Sequence, residues 1–184
     1  MIRIMCDQQE HRTMATRNIV VEPYNEKWKQ DFLAIREEIS EAMGDLAISI
    51  EHVGSTSVEG LSAKPIIDID VVIESRDILP EVVEALGRIG YRHEGDKGIP
   101  GREAFGYDGK EHLRNHHLYV CDKDSSELRR HISFRDYLRV HPEAVAEYSR
   151  IKKEGAALFP HDIDGYIDHK TPFIQGIYQK LGLL

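Results

Sequence analysis

The chain has 184 residues, with 24 Lys plus Arg against 32 Asp plus Glu and a formal charge of −8. At 41% hydrophobic, 30% charged and 8% aromatic residues it has a globular composition, which excludes collagen-like, disulfide-scaffold and disordered classes. The acidic balance argues against an extended nucleic-acid partner, while a small anionic ligand met by a few local cations stays open.

No stretch approaches the ~20 apolar residues of a membrane span. Residues 1–17 read as a loose tail without the apolar core of a secretory signal, followed by one domain over 18–184. Cys6 and Cys121 make no disulfide framework, so a reducing, cytoplasmic location is expected.

Residues 18–22 are β-rich and short. Asn25 then stands where it can cap a helix whose stripe is Trp28, Phe32, Ile35, Ile39 and Met43, ended by Gly44 and Asp45. Residues 46–53 alternate as a strand, and residues 58–63 read as a short helix. Residues 66–73 are apolar and β-branched, a second strand. A helix is predicted over 77–89, then strands over 91–94, 103–107 and 113–121. From Ser125 onward the pattern is helical, with Pro142 opening a new helix and a final helix carrying Phe173, Ile174, Ile177, Tyr178 and Leu181. Strands first and helices after them predict an α+β fold, a mixed β-sheet covered by helices, with a helical C-terminal part.

The second strand contains a conflict. Asp68 and Asp70 have the same parity, so both project from one face, about 7 Å apart at the usual strand rise. Burying ionised acids in an apolar strand is costly unless a positive group compensates, and an oxygen-preferring divalent cation does so directly. A paired-acid metal site is one reading. A solvated strand end, or neutralisation by Lys64 and Arg114, is the other. Upstream, Gly54, Ser55, Thr56 and Ser57 form a glycine-containing turn whose backbone N–H groups and hydroxyls suit phosphate oxygens. The Walker spacing is absent.

Strand, Gly-Ser turn, short helix and a strand with DxD resemble the DNA polymerase beta-type nucleotidyltransferase superfamily. More closely, EHVGSTSVEGLSAKPIIDIDVVI at 51–73, GIPGREAF at 98–105, HHLYV at 116–120, FRDYLR at 134–139 and HKTPFI at 169–174 are similar to the GrpB family. The resemblance covers about residues 19–181 and implies a nucleotidyltransferase-like sheet. It further implies a turn that holds a triphosphate and acids that bind magnesium. It also implies kinship with a domain joined to dephospho-coenzyme A kinase in some bacteria.

One departure stands out. Catalytic members of the superfamily add a third acid from a neighbouring strand, and the candidate strand here offers His117. That histidine is read as a metal ligand with Asp68 and Asp70, which would shift preference from magnesium towards manganese or zinc, as a base, or as a hydrogen-bonded core residue. Lys64, Arg102, Arg114, Arg135 and Lys170 are candidates to converge on a polyphosphate. Arg129, Arg130, Lys152 and Lys153 read as exposed helix-face charges. Two functions follow as expectations: metal-dependent transfer of a nucleotidyl group from a nucleoside triphosphate to a small acceptor, or a non-catalytic nucleotide- or coenzyme-binding module on the same scaffold.

Overall fold

The apolar stripe of the first helix decides where the sheet is covered. Helix α1, Lys27–Met43, buries Trp28, Phe32, Ile35, Ile39 and Met43, all on one face as the spacing predicts. Asn25 Oδ1 accepts the Lys27 N–H at 3.0 Å, and Gly44, at φ +51°, closes the C-terminal end. The computed structural model describes residues 18–184, so the tail expected at 1–17 lies outside the described residues.

Strands β1 Ser49–Val53, β2 Ile67–Ile73, β3 Tyr91–His93, β4 Arg102–Tyr107 and β5 His116–Asp122 form one mixed sheet in the order β1-β2-β5-β4-β3. β2 and β5 run parallel, and the other neighbouring pairs run antiparallel. Alternation then sorts the side chains. Ile67, Ile69, Val71 and Ile73 of β2, with Leu118 and Val120 of β5, pack into the core under α1 and α2 (Leu79–Arg88). Asp68, Asp70 and Val72 point the other way, beside His117, Tyr119 and Cys121 of β5.

That second face is covered by α3 Ser126–Val140, α4 Pro142–Leu158 and α5 Ile163–Lys180. Ser125 caps α3 by accepting the Leu128 N–H, and Asp162 caps α5 by accepting the Gly165 N–H at 3.0 Å. Leu138, Ala144, Val145, Tyr148, Ile174, Ile177 and Tyr178 join Val58 and Leu61 in a second apolar cluster between these helices and the loop before β2. The architecture is the expected α+β arrangement. Among the described residues, no helix is long and apolar enough to cross a membrane.

Three local expectations are corrected. Residues 18–22 contribute a single bridge, Glu22 to Ala63, rather than a strand. Gly44–Leu46 forms a 3₁₀ turn that shortens β1. Residues 58–63 are not helical: the turn sits earlier, at Ser55–Ser57, because Val58 is extended at φ −111°, ψ 118° and Gly60 takes φ +78°.

Candidate functional site

Between the acid-bearing sheet face and the C-terminal helices lies a cavity of about 410 Å3, within the size range of small-molecule sites. The sheet side supplies Gly54, Ser55, Asp68, Arg102, His117 and Tyr119. The helical side supplies Glu127, Arg130 and His131 from α3, Tyr148 and Lys152 from α4, and Tyr166, Lys170 and Ile174 from α5. Lys64 enters from the loop before β2. Five Lys and Arg side chains therefore meet two carboxylates at the wall, against an overall acidic chain.

The compensation that the paired acids require comes from imidazoles. Asp68 and His117 are opposed in the β2–β5 register, and His117 Nδ1 lies 2.8 Å from Asp68 Oδ1. Asp70, fully buried, meets His131 Nδ1 through Oδ2 at 2.7 Å. Burial pushes the His131 pKa down, but the charge of Asp70 and the hydrogen bond to it outweigh burial and hold the imidazole above its ordinary value. Asp70 and His131 thus form a buried, hydrogen-bonded carboxylate–imidazole pair. The rings of His117 and His131 flank Tyr119 at centroid distances of 6.3 and 6.5 Å, and the Arg102 guanidinium lies 4.1 Å over the same tyrosine.

A resident divalent ion needs a shell of accessible oxygens. Here Asp68 Oδ1 is taken by His117 and Asp70 Oδ2 by His131. Asp68 Oδ2 abuts Gly54, where a Cβ would fall 2.1 Å from it. Asp70 Oδ1 has no hydrogen-bond partner among the described residues, but it is enclosed and Asp70 does not line the cavity. Among the described residues no three His, Cys, Asp or Glu side chains gather as a metal-binding group. In this arrangement both acids are held by imidazoles, which a magnesium or manganese ion at Asp68, Asp70 and His117 would have to displace.

The predicted phosphate set divides. Gly54, Ser55 and Lys64 line the cavity. Thr56 is buried, close to His52 Nε2 at 3.0 Å and donating to the Ile66 carbonyl at 3.3 Å. Ser57 Oγ donates to the Gly54 carbonyl at 2.6 Å, so both hydroxyls hold the turn itself. Arg114 points elsewhere, its Nε donating to Asp31 of α1 at 3.0 Å. Of the other cations considered for a polyphosphate, Arg102 and Lys170 reach the cavity wall, whereas Arg135 donates to Glu51 and to the His52 carbonyl.

Lys152 reverses its expectation. It is not on an exposed face: its side chain is 2% exposed, and Nζ sits 4.5 Å from the Tyr148 ring centroid without a hydrogen-bond partner among the described residues. Burial first, then the charge of Lys170, pulls its pKa well below the ordinary lysine range. Arg130 is half-buried and pairs with Glu127. The sequence carried a usable signal for two of the missed residues. Lys152 follows Tyr148 by one helical turn on the inward stripe of α4, and His131 stands three residues after the buried Leu128 of α3.

The GrpB protein family model matches residues 18–180. The chain belongs to the GrpB family. A Bacillus subtilis relative, the UPF0157 protein YqkA, is 36% identical over 159 residues, covering 86% of this chain and 46% of the relative, so the chain spans about half of that protein. The crystal structure of GrpB from Enterococcus faecalis superposes with a TM-score of 0.78 at 33% identity, covering 88% of this GrpB-family chain and 96% of that one. A dephospho-CoA kinase of Mycolicibacterium paratuberculosis is 26% identical over 92% of this chain and 47% of its own length. The Cid1 poly(U) polymerase, in an H336N structure bound to MgATP, superposes at TM-score 0.54 and 11% identity over 74% of this chain and 44% of that one, a likeness of fold.

Proposed function

We propose that this GrpB-family protein binds a phosphorylated, nucleotide-like small molecule in the cavity between its sheet and its C-terminal helices. The carrying observation is the wall composition: Lys64, Arg102, Arg130, Lys152 and Lys170 converge on a ligand-sized space in a chain whose net charge is −8. Aromatic rings at Tyr148, Tyr166 and Phe134 give the same space apolar surface for a base or a pantetheine-like arm. Support comes by analogy from Cid1, whose structures hold MgATP and a UTP analogue on a similar fold, and from kinship with part of a dephospho-CoA kinase.

Nucleotidyl transfer is the second reading, favoured by His117: a carboxylate-held imidazole at the cavity wall has the arrangement of a general base for an acceptor hydroxyl. Magnesium or manganese belongs to that reading only as the counter-ion that a triphosphate brings with it. Calorimetric titration with ATP, UTP and dephospho-coenzyme A, each with and without magnesium, tests the binding proposal against a Lys64→Met variant. Binding of one of them, weakened in the variant, is expected. Absence of binding for all three overturns it. Transfer is read separately, by incorporation of label from the α-phosphate into an acceptor with wild type and with His117→Gln.

A further inference from the structure

Thr56 and Ser57 of the Gly-Ser turn spend their hydroxyls on backbone carbonyls, and a lysine-bearing wall lies across the cavity from them. Lys152 of α4 is buried, lines the cavity and has no hydrogen-bond partner on Nζ among the described residues. Two further lysines approach from other segments. Lys64 and Lys170 lie over the Tyr166 ring, at 5.9 and 5.0 Å from its centroid. The sheet carboxylate that lines the cavity, Asp68, already has one oxygen on His117 and the other against Gly54.

We infer that Lys152, with Lys64 and Lys170, forms a subsite for a phosphate monoester group at the helical wall of the cavity, apart from the Gly-Ser turn. The inference rests on the binding proposal above and makes it more specific: the ligand carries a terminal phosphate, and that phosphate goes to α4 and α5. The physical reason is charge placement. A buried amine with no acceptor loses its hydration without replacement, and a phosphate oxygen supplies both the missing acceptor and the counter-charge. The flanking tyrosines keep the lysine stems packed, so the ammonium groups are positioned before the ligand arrives.

Inorganic phosphate is the probe. Wild type, Lys152→Met and Lys153→Met are unfolded thermally in chloride or orthophosphate buffers of equal ionic strength. Lys153 is the exposed neighbour of Lys152 and controls for general charge. Orthophosphate is expected to raise the midpoint of wild type and Lys153→Met above that in chloride. In Lys152→Met the apparent phosphate affinity should be weaker by roughly tenfold or more, the contribution of a charge-assisted hydrogen bond. Equal phosphate stabilisation in Lys152→Met, or none in wild type, overturns the inference.

A measurement on wild type alone covers the case in which Lys152→Met fails to fold. Limited acylation with peptide mapping should show Lys152 protected by orthophosphate and Lys153 indifferent to it; absence of protection overturns the subsite. The two proposals separate cleanly. Nucleotide binding that survives Lys152→Met unchanged removes the phosphate subsite and keeps the nucleotide cavity. Phosphate protection of Lys152 without binding of any nucleotide or coenzyme does the reverse.

Discussion

Asp68 and His117 face one another across the parallel β2–β5 pair, and the 2.8 Å contact between Oδ1 and Nδ1 joins two strands that are 49 residues apart in sequence. Because both side chains are largely withdrawn from water, with 16% and 9% of their surface exposed, the pair should be energetically coupled. A double-mutant cycle of Asp68→Asn and His117→Gln, read by urea unfolding, is expected to give about 1–2 kcal/mol of coupling. Additive effects would show that the two groups stabilise the protein independently.

Gly54 is fixed by two constraints at once. Its φ of +68° disfavours any side chain, and a Cβ would collide with Asp68 Oδ2 at 2.1 Å. Gly54→Ala should therefore cost about 2–4 kcal/mol of stability, combining backbone strain with displacement of the carboxylate. It should also disturb the His117 ring signals in NMR spectra. A cost below 1 kcal/mol, roughly that of an ordinary glycine substitution, contradicts the packing described.

Acid should weaken the fold through two buried histidines. Burial lowers both His52 and His116 from 6.5 to about 4. The unfolded chain therefore takes up protons first, and stability falls as pH drops from 6.5 towards 4, by up to about 3 kcal/mol for each group at the acid limit. His131 acts in the opposite sense: its value is raised, so its contribution is complete below 6.5 and fades as pH rises through the raised value. Between 6.5 and 4 the His131 contribution is constant, so the two lowered histidines alone predict a net loss on acidification. Unfolding free energies across this window should flatten in His52→Gln/His116→Gln; an unchanged slope assigns the acid sensitivity to other groups.

Arg114 provides a control. Its ion pair with Asp31 is partly exposed on both sides, 40% and 26%, so Arg114→Ala should change stability by less than about 1 kcal/mol. It should leave nucleotide affinity at the wild-type value. A large loss of affinity would return Arg114 to the phosphate-binding set.

Side-chain parity was legible before any fold was known. Period-2 alternation alone put Asp68 and Asp70 on one face of β2 and set His117 and Tyr119 together on β5, and the register then brought Asp68 to His117. What the pattern withheld was the partner from elsewhere in the chain. His131 reaches Asp70 across 61 residues, and no local rule assigns a helix to a particular sheet face. Charge was the other blind spot. A lysine on an amphipathic helix is ordinarily solvated, so Lys152 read as surface, although its place one turn after Tyr148 put it on the buried stripe. The Gly54–Ser57 turn was located, but its hydroxyl bonds depend on where Val58 and Ile66 run, which spacing does not report.

The cavity is a seam. One wall belongs to strands completed by Asp122, and the other to helices that begin at Ser126, so neither stretch of chain encloses the space alone. A ligand held there fastens the later helices to the earlier sheet, and its free energy of binding adds directly to the work of peeling them apart. Amide hydrogens of α4 and α5 should then exchange more slowly in the liganded protein, while those of α1, anchored on the far side of the sheet, keep their own pace.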